Sequence, residues 1–473
     1  MPQHAGTGRR TVLAAAAAGV AVSGTSPAVA APPGTTAAGG RGGRPATAQS
    51  PGRELRALLK EIDRDRIEGT VRRLASFGTR HTLSSQDDPG RGIGAARDWI
   101  HARMREYAAA SGGRMTVELQ SYVQQPASRI PTPTRITNVV ATLRGTVAPE
   151  RVYVVSGHYD SRASDVMDAT GDAPGADDDA SGVAVVMELA RVMATRRTAA
   201  SVVFAAVAGE EQGLYGARHM AARYREAGVD VQAMFTDDIV GSSVADDGTR
   251  DPYTVRLFAE GVPTSETDDQ AAVRQSVGGE NDSPSRQLAR FVRDVADNGA
   301  TGMNIRVVHR RDRYLRGGDH IAFLEQGYPA VRFTEPAEDF AHQHQDVRVE
   351  DGKQYGDLPE FCDFGYIERV ARVNGAALWT LAQAPGTPTG AKILTGGLTN
   401  STELVWERGG EPDLAGYEVV WRETTEPEWT HVIEVGDTTH HTVDLSKDNL
   451  FFGVRAVNRA GNRSPVAFPL PSR

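Results

Sequence analysis

Residues 151–160 read RVYVVSGHYD, and the fold follows from that stretch. Val152 to Ser156 is a short β-rich run without polar alternation, as expected of a strand buried on both faces. A histidine and an aspartate, His158 and Asp160, appear as the run ends. The same order recurs downstream. Ser201 to Val207 is followed by Glu210 and Glu211, Val231 to Thr236 by Asp238, and Thr137 to Leu143 and Ala330 to Phe333 are further strand-like runs. Between them Val183, Val186, Leu189, Ala190 and Met193 form a stripe at helical spacing, as do Leu288, Phe291, Val292 and Val295. Strands alternating with helices predict an α/β domain: a mostly parallel central sheet with helices on both faces.

Working outward, Glu54 to Ser76 and Ile93 to Ala110 carry helical spacing, as in Trp99, Met104 and Tyr107, and the domain closes with a long helix from about Phe361 to Ala384. Further back, residues 9–30 read RRTVLAAAAAGVAVSGTSPAVA. A twin-arginine pair, a short apolar stretch and a small-residue run make residues 1–30 an expected twin-arginine export signal, cleaved near Ala30, and the protein an expected secreted one. The apolar run Thr11 to Ser23 is too short to span a bilayer, and no later segment approaches that length. Residues 31–50, rich in Gly, Pro, Ala and Thr, read as a flexible spacer, and 51–385 as the α/β domain.

After Pro385-Gly-Thr-Pro388 the character changes again. Glu403 to Trp406, Tyr417 to Trp421, His431 to Val435, His441 to Leu445 and Phe451 to Val457 are short alternating strands, a spacing that suits an antiparallel sandwich over 386–473. Trp406, the strand ending at Trp421, and the run from Phe452 to Gly461 make this segment resemble a fibronectin type III domain; Leu450 departs from it where that family usually has a tyrosine. The resemblance implies an appendage for a polysaccharide or protein ligand, with no chemistry of its own.

The charge is -9, or -11 once the +2 of Arg9 and Arg10 is set aside. This balance speaks against nucleic acid as a partner, because neutralising phosphates needs clustered Lys and Arg. Cys362 is the only cysteine, which excludes an internal disulfide and a thiolate cluster, and a buried inert thiol is the reading for it. Any metal must use His, Asp and Glu.

Each acid or histidine noted above follows the end of a strand, and in open α/β sheets the carboxyl ends of the strands form the binding crevice. Between the first two strands lies APGADDDASG, residues 173–182. Its three adjacent carboxylates repel one another unless a multivalent cation sits among them. Taken alone that run is an acidic turn or a calcium loop, and an isolated Glu-Glu pair is a solvated surface feature. Order and spacing decide otherwise. His158-Tyr-Asp160, then Gly175-Ala-Asp-Asp178-Asp-Ala-Ser-Gly182, then Glu210-Glu211-Gln-Gly-Leu-Tyr-Gly216, then Asp238-Ile-Val-Gly241, then His342-Gln-His-Gln-Asp346 resemble the co-catalytic zinc aminopeptidases of peptidase family M28, which include secreted leucine aminopeptidases of the Streptomyces and Vibrio type. The match runs from about residue 137 to 384.

The resemblance implies two Zn²⁺ ions, with His158 and Asp238 on one, Glu211 and His342 on the other, and Asp178 bridging. It makes Glu210 the general base and acid, and Asp160 the carboxylate that orients His158. Elementary chemistry agrees: three ligand carboxylates and a bridging hydroxide cancel four positive charges, and nitrogen and oxygen ligands with an open water position mark catalytic zinc. Two metals sharing a water lower its pKa, and a carboxylate that is not a ligand must then move the proton. Neighbouring residues at a strand end point opposite ways, so Glu210 and Glu211 can divide base and ligand duties.

Alternatives stand beside several of these. Asp237 adjoins Asp238, which is preferred for the Ile-Val-Gly that follows it; His344 competes with His342, preferred because Asp346 lies four residues on. Where some secreted members place a tyrosine before this histidine the chain has Ala341, which leaves Tyr314 or His320 as substitute oxyanion donors. Asp319-His320 either caps the short helix Ile321 to Leu324 or matches a substrate-side motif of the family. The expected activity is release of N-terminal residues from peptides. Glutaminyl cyclase chemistry, or hydrolysis directed at dipeptides or C-termini, keeps the same fold, and an inactive receptor-like protein would lack ligands that this chain has.

Overall fold

The computed structural model describes residues 42–472. The expected export signal and the start of the spacer lie outside them. In chain order the elements begin with β1 (Arg44–Pro45), α1 (Arg53–Lys60), α2 (Arg64–Ala75), α3 (Ile93–Ala109), β2 (Met115–Gln124), β3 (Thr134–Leu143) and β4 (Ala148–His158). They continue with α4 (Gly182–Ala194), β5 (Ala200–Val207), α5 (Tyr215–Glu226), β6 (Asp230–Asp237), β7 (Thr254–Phe258), α6 (Asp268–Val277), α7 (Pro284–Ala296) and β8 (Asn304–Val308). Then come α8 (His320–Glu325), β9 (Ala330–Thr334), the small hairpin β10 (Arg348–Glu350) and β11 (Lys353–Tyr355), and α9 (Phe364–Gln383).

Eight strands form one sheet in the order β2-β3-β5-β4-β6-β9-β7-β8. Its middle, β5-β4-β6-β9, is parallel as the apolar runs predict. The flanks differ from that prediction: β2 pairs antiparallel with β3, β3 with β5, and β7 with β9, so the sheet as a whole is mixed. Edge strand β2 leaves most of its residues exposed or half-buried, Leu119 and Val123 among the exposed ones, because helices do not cover both its faces.

Two apolar layers use alternate residues of the same strands. Tyr153, Val155, Val202, Phe204 and Ala206 join one core with α1, α2, α3, α4, α7 and α9, while Val152, Val154, Val203, Ala205 and Val207 join the other with α5 and α8. This is the period-two alternation of a strand read from both sides, and it puts helices on both faces.

Beyond α9 the strands are β12 (Lys392–Leu394), β13 (Thr402–Val405), β14 (Leu414–Glu423), β15 (His431–Gly436), β16 (His440–Val443), β17 (Leu450–Asn458) and β18 (Leu470–Ser472). They make two four-stranded sheets, β1-β15-β14-β17 and β16-β13-β12-β18, over a shared core of Leu404, Trp406, Tyr417, Val419, Phe452 and Val454. The first of these sheets recruits the N-terminal β1, so residues 42–49 are a bound strap and not the free spacer expected over 31–50. Trp421 Nε1 donates to Gly42 O at 2.6 Å, Arg44 pairs with Glu434 at 2.8 Å, and Arg463 N donates to Gln49 Oε1 at 2.9 Å. The strap covers what would otherwise be an open strand edge on β15.

Buried charge joins the two-sheet module to the α/β domain. Asp282 accepts from Arg290 of α7 at 2.8 Å and from Arg422 of β14 at 2.7 Å, and Arg151 of β4 pairs with Glu411 at 2.5 Å. Among the described residues no helix is long and apolar enough to cross a membrane.

Candidate metal centre

The carboxyl ends of β4, β5, β6 and β9 open on one edge, and the acids and histidines of the sequence motifs gather there. His158 is the last residue of β4; Glu210 and Glu211 follow β5; Asp238 follows β6; and the loop after β9 supplies His344. Asp178 comes from a wide helical turn, Ala176–Ser181, ahead of α4, and its peptide bond to Asp179 is cis. Close backbone approach makes this turn fit. A Cβ on Gly157 would stand 2.6 Å from the Gly182 carbonyl carbon, and one on Gly182 would stand 2.2 Å from Asp237 O. With both positions bare, the Asp179 carboxylate reaches across and accepts from His158 N at 2.9 Å and from Gly182 N at 3.0 Å. It therefore clamps the strand end to the helix start.

Two triplets of ligand atoms meet at Asp178. His158, Asp178 and Asp238 form one, and Asp178, Glu211 and His344 the other; within each, one ligand atom per residue lies within 4.8 Å of the others. His158 Nε2 is 3.0 Å from Asp178 Oδ1 and 3.8 Å from Asp238 Oδ1. His344 Nε2 is 2.9 Å from Asp178 Oδ2 and 3.0 Å from Glu211 Oε1. One carboxylate thus turns an oxygen toward each histidine.

A model of peptidase family M28 matches residues 138–350. A probable zinc metalloprotease of Leptosphaeria maculans is 56% identical over 422 residues, 89% of this chain and 98% of that protein. The chain belongs to peptidase family M28. A probable zinc metalloprotease of Pyricularia oryzae is likewise 56% identical, over 90% of this chain and 86% of its own length. The LapA aminopeptidase of Legionella pneumophila shares the fold, with a TM-score of 0.50 at 20% identity over 70% of this chain and 75% of that one.

Of the expected ligands, His158, Asp178, Glu211 and Asp238 come together in the two triplets, and His342 stands outside both. Its ring stacks on Phe361 with centroids 3.6 Å apart, and its Nδ1 faces Asp339 at 3.5 Å. A turn at Asp339, with His342 N donating to Asp339 O, sends His342 one way; His344, held at φ 54, goes the other. Asp346, which favoured His342 on spacing, instead accepts from Ser164 N at 3.1 Å. Asp237, the alternative to Asp238, accepts from Asn374 at 2.7 Å and stands outside both triplets.

Asp160 also does something other than expected. The His158 ring nitrogen Nδ1 lies 3.1 Å from the backbone carbonyl of Asp160 and 3.8 Å from its carboxylate. That carboxylate accepts from Glu210 N at 3.2 Å, Glu211 N at 3.1 Å and Thr82 Oγ1 at 3.1 Å. Asp160 therefore fixes the two glutamates by their backbone and the histidine by its carbonyl.

The donor set fits zinc. It offers two imidazole nitrogens and three carboxylates, no thiolate, and a shared carboxylate between two triplets. Its charge is unbalanced without a cation. Burial opposes a proton on His344, yet Glu211 and Asp178 raise it to about 10, so a positive charge is wanted between those carboxylates. Burial, joined by Asp238, Glu211 and Asp319, raises Glu210 well above the usual carboxyl range, with His158 acting in the other direction. Glu210 lines the same cavity and belongs to neither triplet.

Several residues of the site carry no motif. Arg332 of β9 is fully buried and pairs with Asp238 at 2.8 Å and Asp312 at 3.3 Å; an arginine within an otherwise apolar strand was the available signal. Arg80 donates to Tyr159 O at 2.7 Å and Gly175 O at 2.8 Å, tying the acidic turn to the end of β4. Asp319 gives α8 no capping bond; both its carboxylate oxygens are buried without a partner, and burial, joined by Asp160 and Asp238, pushes it up to about 7. Tyr314 is 76% exposed and His320 is buried with Nε2 on Arg311 O at 2.8 Å. Neither lines the cavity over the metal triplets.

Proposed function

We propose that this M28 protein is an exported two-zinc aminopeptidase that hydrolyses N-terminal residues from peptides. The supporting observation is the pair of ligand triplets sharing Asp178, with Glu210 beside them and outside both. His158, Asp178 and Asp238 would hold one zinc, and Asp178, Glu211 and His344 the other. Zinc bound there supplies Lewis acidity, lowering the pKa of water and polarising a carbonyl oxygen. Glu210 receives a proton from the attacking water and returns it to the departing amine; burial raises its carboxyl well above the usual range, which helps it hold that proton between the two transfers. Asp160 keeps Glu210 and Glu211 in register through their backbone N–H groups. Arg332 occupies one side of the Asp238 carboxylate and restricts its rotation.

Export rests on the twin-arginine pattern of residues 9–30, and the two-sheet module over 386–473 is proposed as a fibronectin type III appendage for a polysaccharide or protein ligand. Metal analysis of the purified protein together with a panel of Leu and Ala anilides and N-blocked peptides tests the reading. Two zinc ions per chain and cleavage of the free-amine anilides are expected; cleavage of blocked peptides alone would replace it with an endo- or carboxy-directed activity. Glu210→Gln is expected to retain zinc while kcat falls by about 10²- to 10⁴-fold.

A further inference from the structure

The cavity above the two triplets encloses about 420 Å³, room for a short stretch of peptide. Apart from Asp178, Glu210, Glu211, Asp238 and His344, every polar side chain lining it is an arginine: Arg129, Arg162, Arg313 and Arg316. Arg129 Nη1 donates to Glu211 O at 2.8 Å, and Arg162 donates to Ala163 O and Ser164 O, each at 3.2 Å. Among the described residues neither has an ion-pair partner. Arg316 and Arg313 lie 2.6 and 3.3 Å from one Glu338 oxygen, and Arg256 takes the other at 3.2 Å. Asp312, the remaining carboxylate on Arg313, is shared with Arg332.

The charges therefore do not close. Two zinc ions would bring four positive charges against Asp178, Glu211 and Asp238, and Glu210 is the one further acid lining the cavity. Four guanidiniums remain around the cavity with Glu338 and Asp312 to answer them, and both acids are divided among other arginines. Guanidinium groups match carboxylates in planar, two-point fashion and keep their charge at every working pH.

We infer that these arginines select substrates bearing a carboxylate within one residue of the scissile bond. The shared chemistry is the carboxylate, supplied by an acidic side chain or by the free C-terminus of a dipeptide. The inference rests on the peptide-hydrolase reading and narrows its substrate class. It also makes Arg129, Arg162 and Arg316 specificity residues without a part in bond breaking.

Equilibrium binding to the full-length, zinc-loaded Glu210→Gln protein tests it by calorimetry, with two matched pairs of peptides. Ala-Glu-Ala-Ala-amide against Ala-Gln-Ala-Ala-amide isolates the side-chain carboxylate, and Ala-Ala against Ala-Ala-amide isolates the C-terminal one. The carboxylate member of at least one pair is expected to bind about tenfold tighter or better. That ratio should fall toward one when Arg162→Gln and Arg316→Gln are added, and persist in part with Arg129→Lys, which keeps the charge. Equal binding within both pairs overturns the inference, as does a preference that survives loss of the arginines, since the metals alone would then account for it. Binding of no peptide also overturns it. Turnover of neutral and acidic peptides at equal rates by the native enzyme would remove this inference and leave the hydrolase reading intact.

Discussion

At residue scale the sharpest contrast is between two histidines two positions apart. His344 touches both Asp178 and Glu211, whereas His342 lies flat on Phe361. On the proposed two-zinc reading, His344→Ala is expected to bring zinc content from two to one per chain and to abolish most turnover, while His342→Ala keeps both ions. Metal analysis of the two variants decides, and the opposite pattern would return the ligand to His342. The residue types of this site were legible because His158, Glu210, Glu211 and Asp238 sit where a strand runs out and Asp178 sits in the acidic run ahead of a helical stripe. The choice between the histidines was not, since spacing to Asp346 says nothing about a turn at Asp339 or the positive φ of His344. Likewise His158-x-Asp160 announced an association but not its form, in which the carbonyl of Asp160 serves the ring and its carboxylate serves two backbone amides.

A second residue-scale prediction concerns Glu335, which follows β9. Burial, then the charge of its hydrogen-bonded neighbour Asp177, raises it well above its usual value. An unfolded glutamate titrates at about 4.3. Folding therefore takes up a proton above that pH, and stability present at low pH is lost as pH rises toward the folded value. Glu335→Gln removes the titration and keeps a donor for Asp177, so the Tm of the variant relative to the native protein should increase from pH 4.5 to pH 8. An unchanged difference across that range would show that Glu335 does not hold the proton.

At the scale of elements, the strand-to-helix crossing of β4 over the start of α4 sets the site. Gly157 and Gly182 bring backbone against backbone, which lets Asp179 clamp both. Gly157→Ala forces those backbones apart and is expected to cost about 3 kcal/mol in urea denaturation, with weakened zinc retention. A loss under about 0.5 kcal/mol would mean the crossing yields freely. The central parallel strands were readable as apolar runs, and α4 as a stripe. The flanks β2, β7 and β8 were not: β2 loses its apolar alternation at Ser121 and Tyr122, and β7 and β8 are only five residues long. The antiparallel pairing of β3 with β5 and of β7 with β9 depends on contacts between distant segments that local pattern does not encode.

For the whole molecule, the buried triad of Asp282, Arg290 and Arg422 fastens the C-terminal module to α7. Asp282→Ala would leave two guanidiniums buried without an anion, a change expected to cost about 3 to 5 kcal/mol. Calorimetric unfolding checks it, and a variant melting like the native protein would show that the joint contributes little. The boundary near residue 385 was plain from Pro and Gly, but the firmness of the joint was not, since its partners are 140 residues apart for Asp282 and Arg422.

The strap at residues 42–49 has a consequence for how the chain is made. Arg44 finds Glu434 across 390 positions, so the strap must wait until β15 has been made before its hydrogen bonds exist. The enzyme domain can condense around local helices and strands as it emerges, whereas the sheet that takes in β1 is completed only after β15 and β17 exist. The clasp between the strap and β15 thus forms after the catalytic edge, and a nascent chain stalled short of β15 would carry a finished catalytic edge beside an unpaired strap.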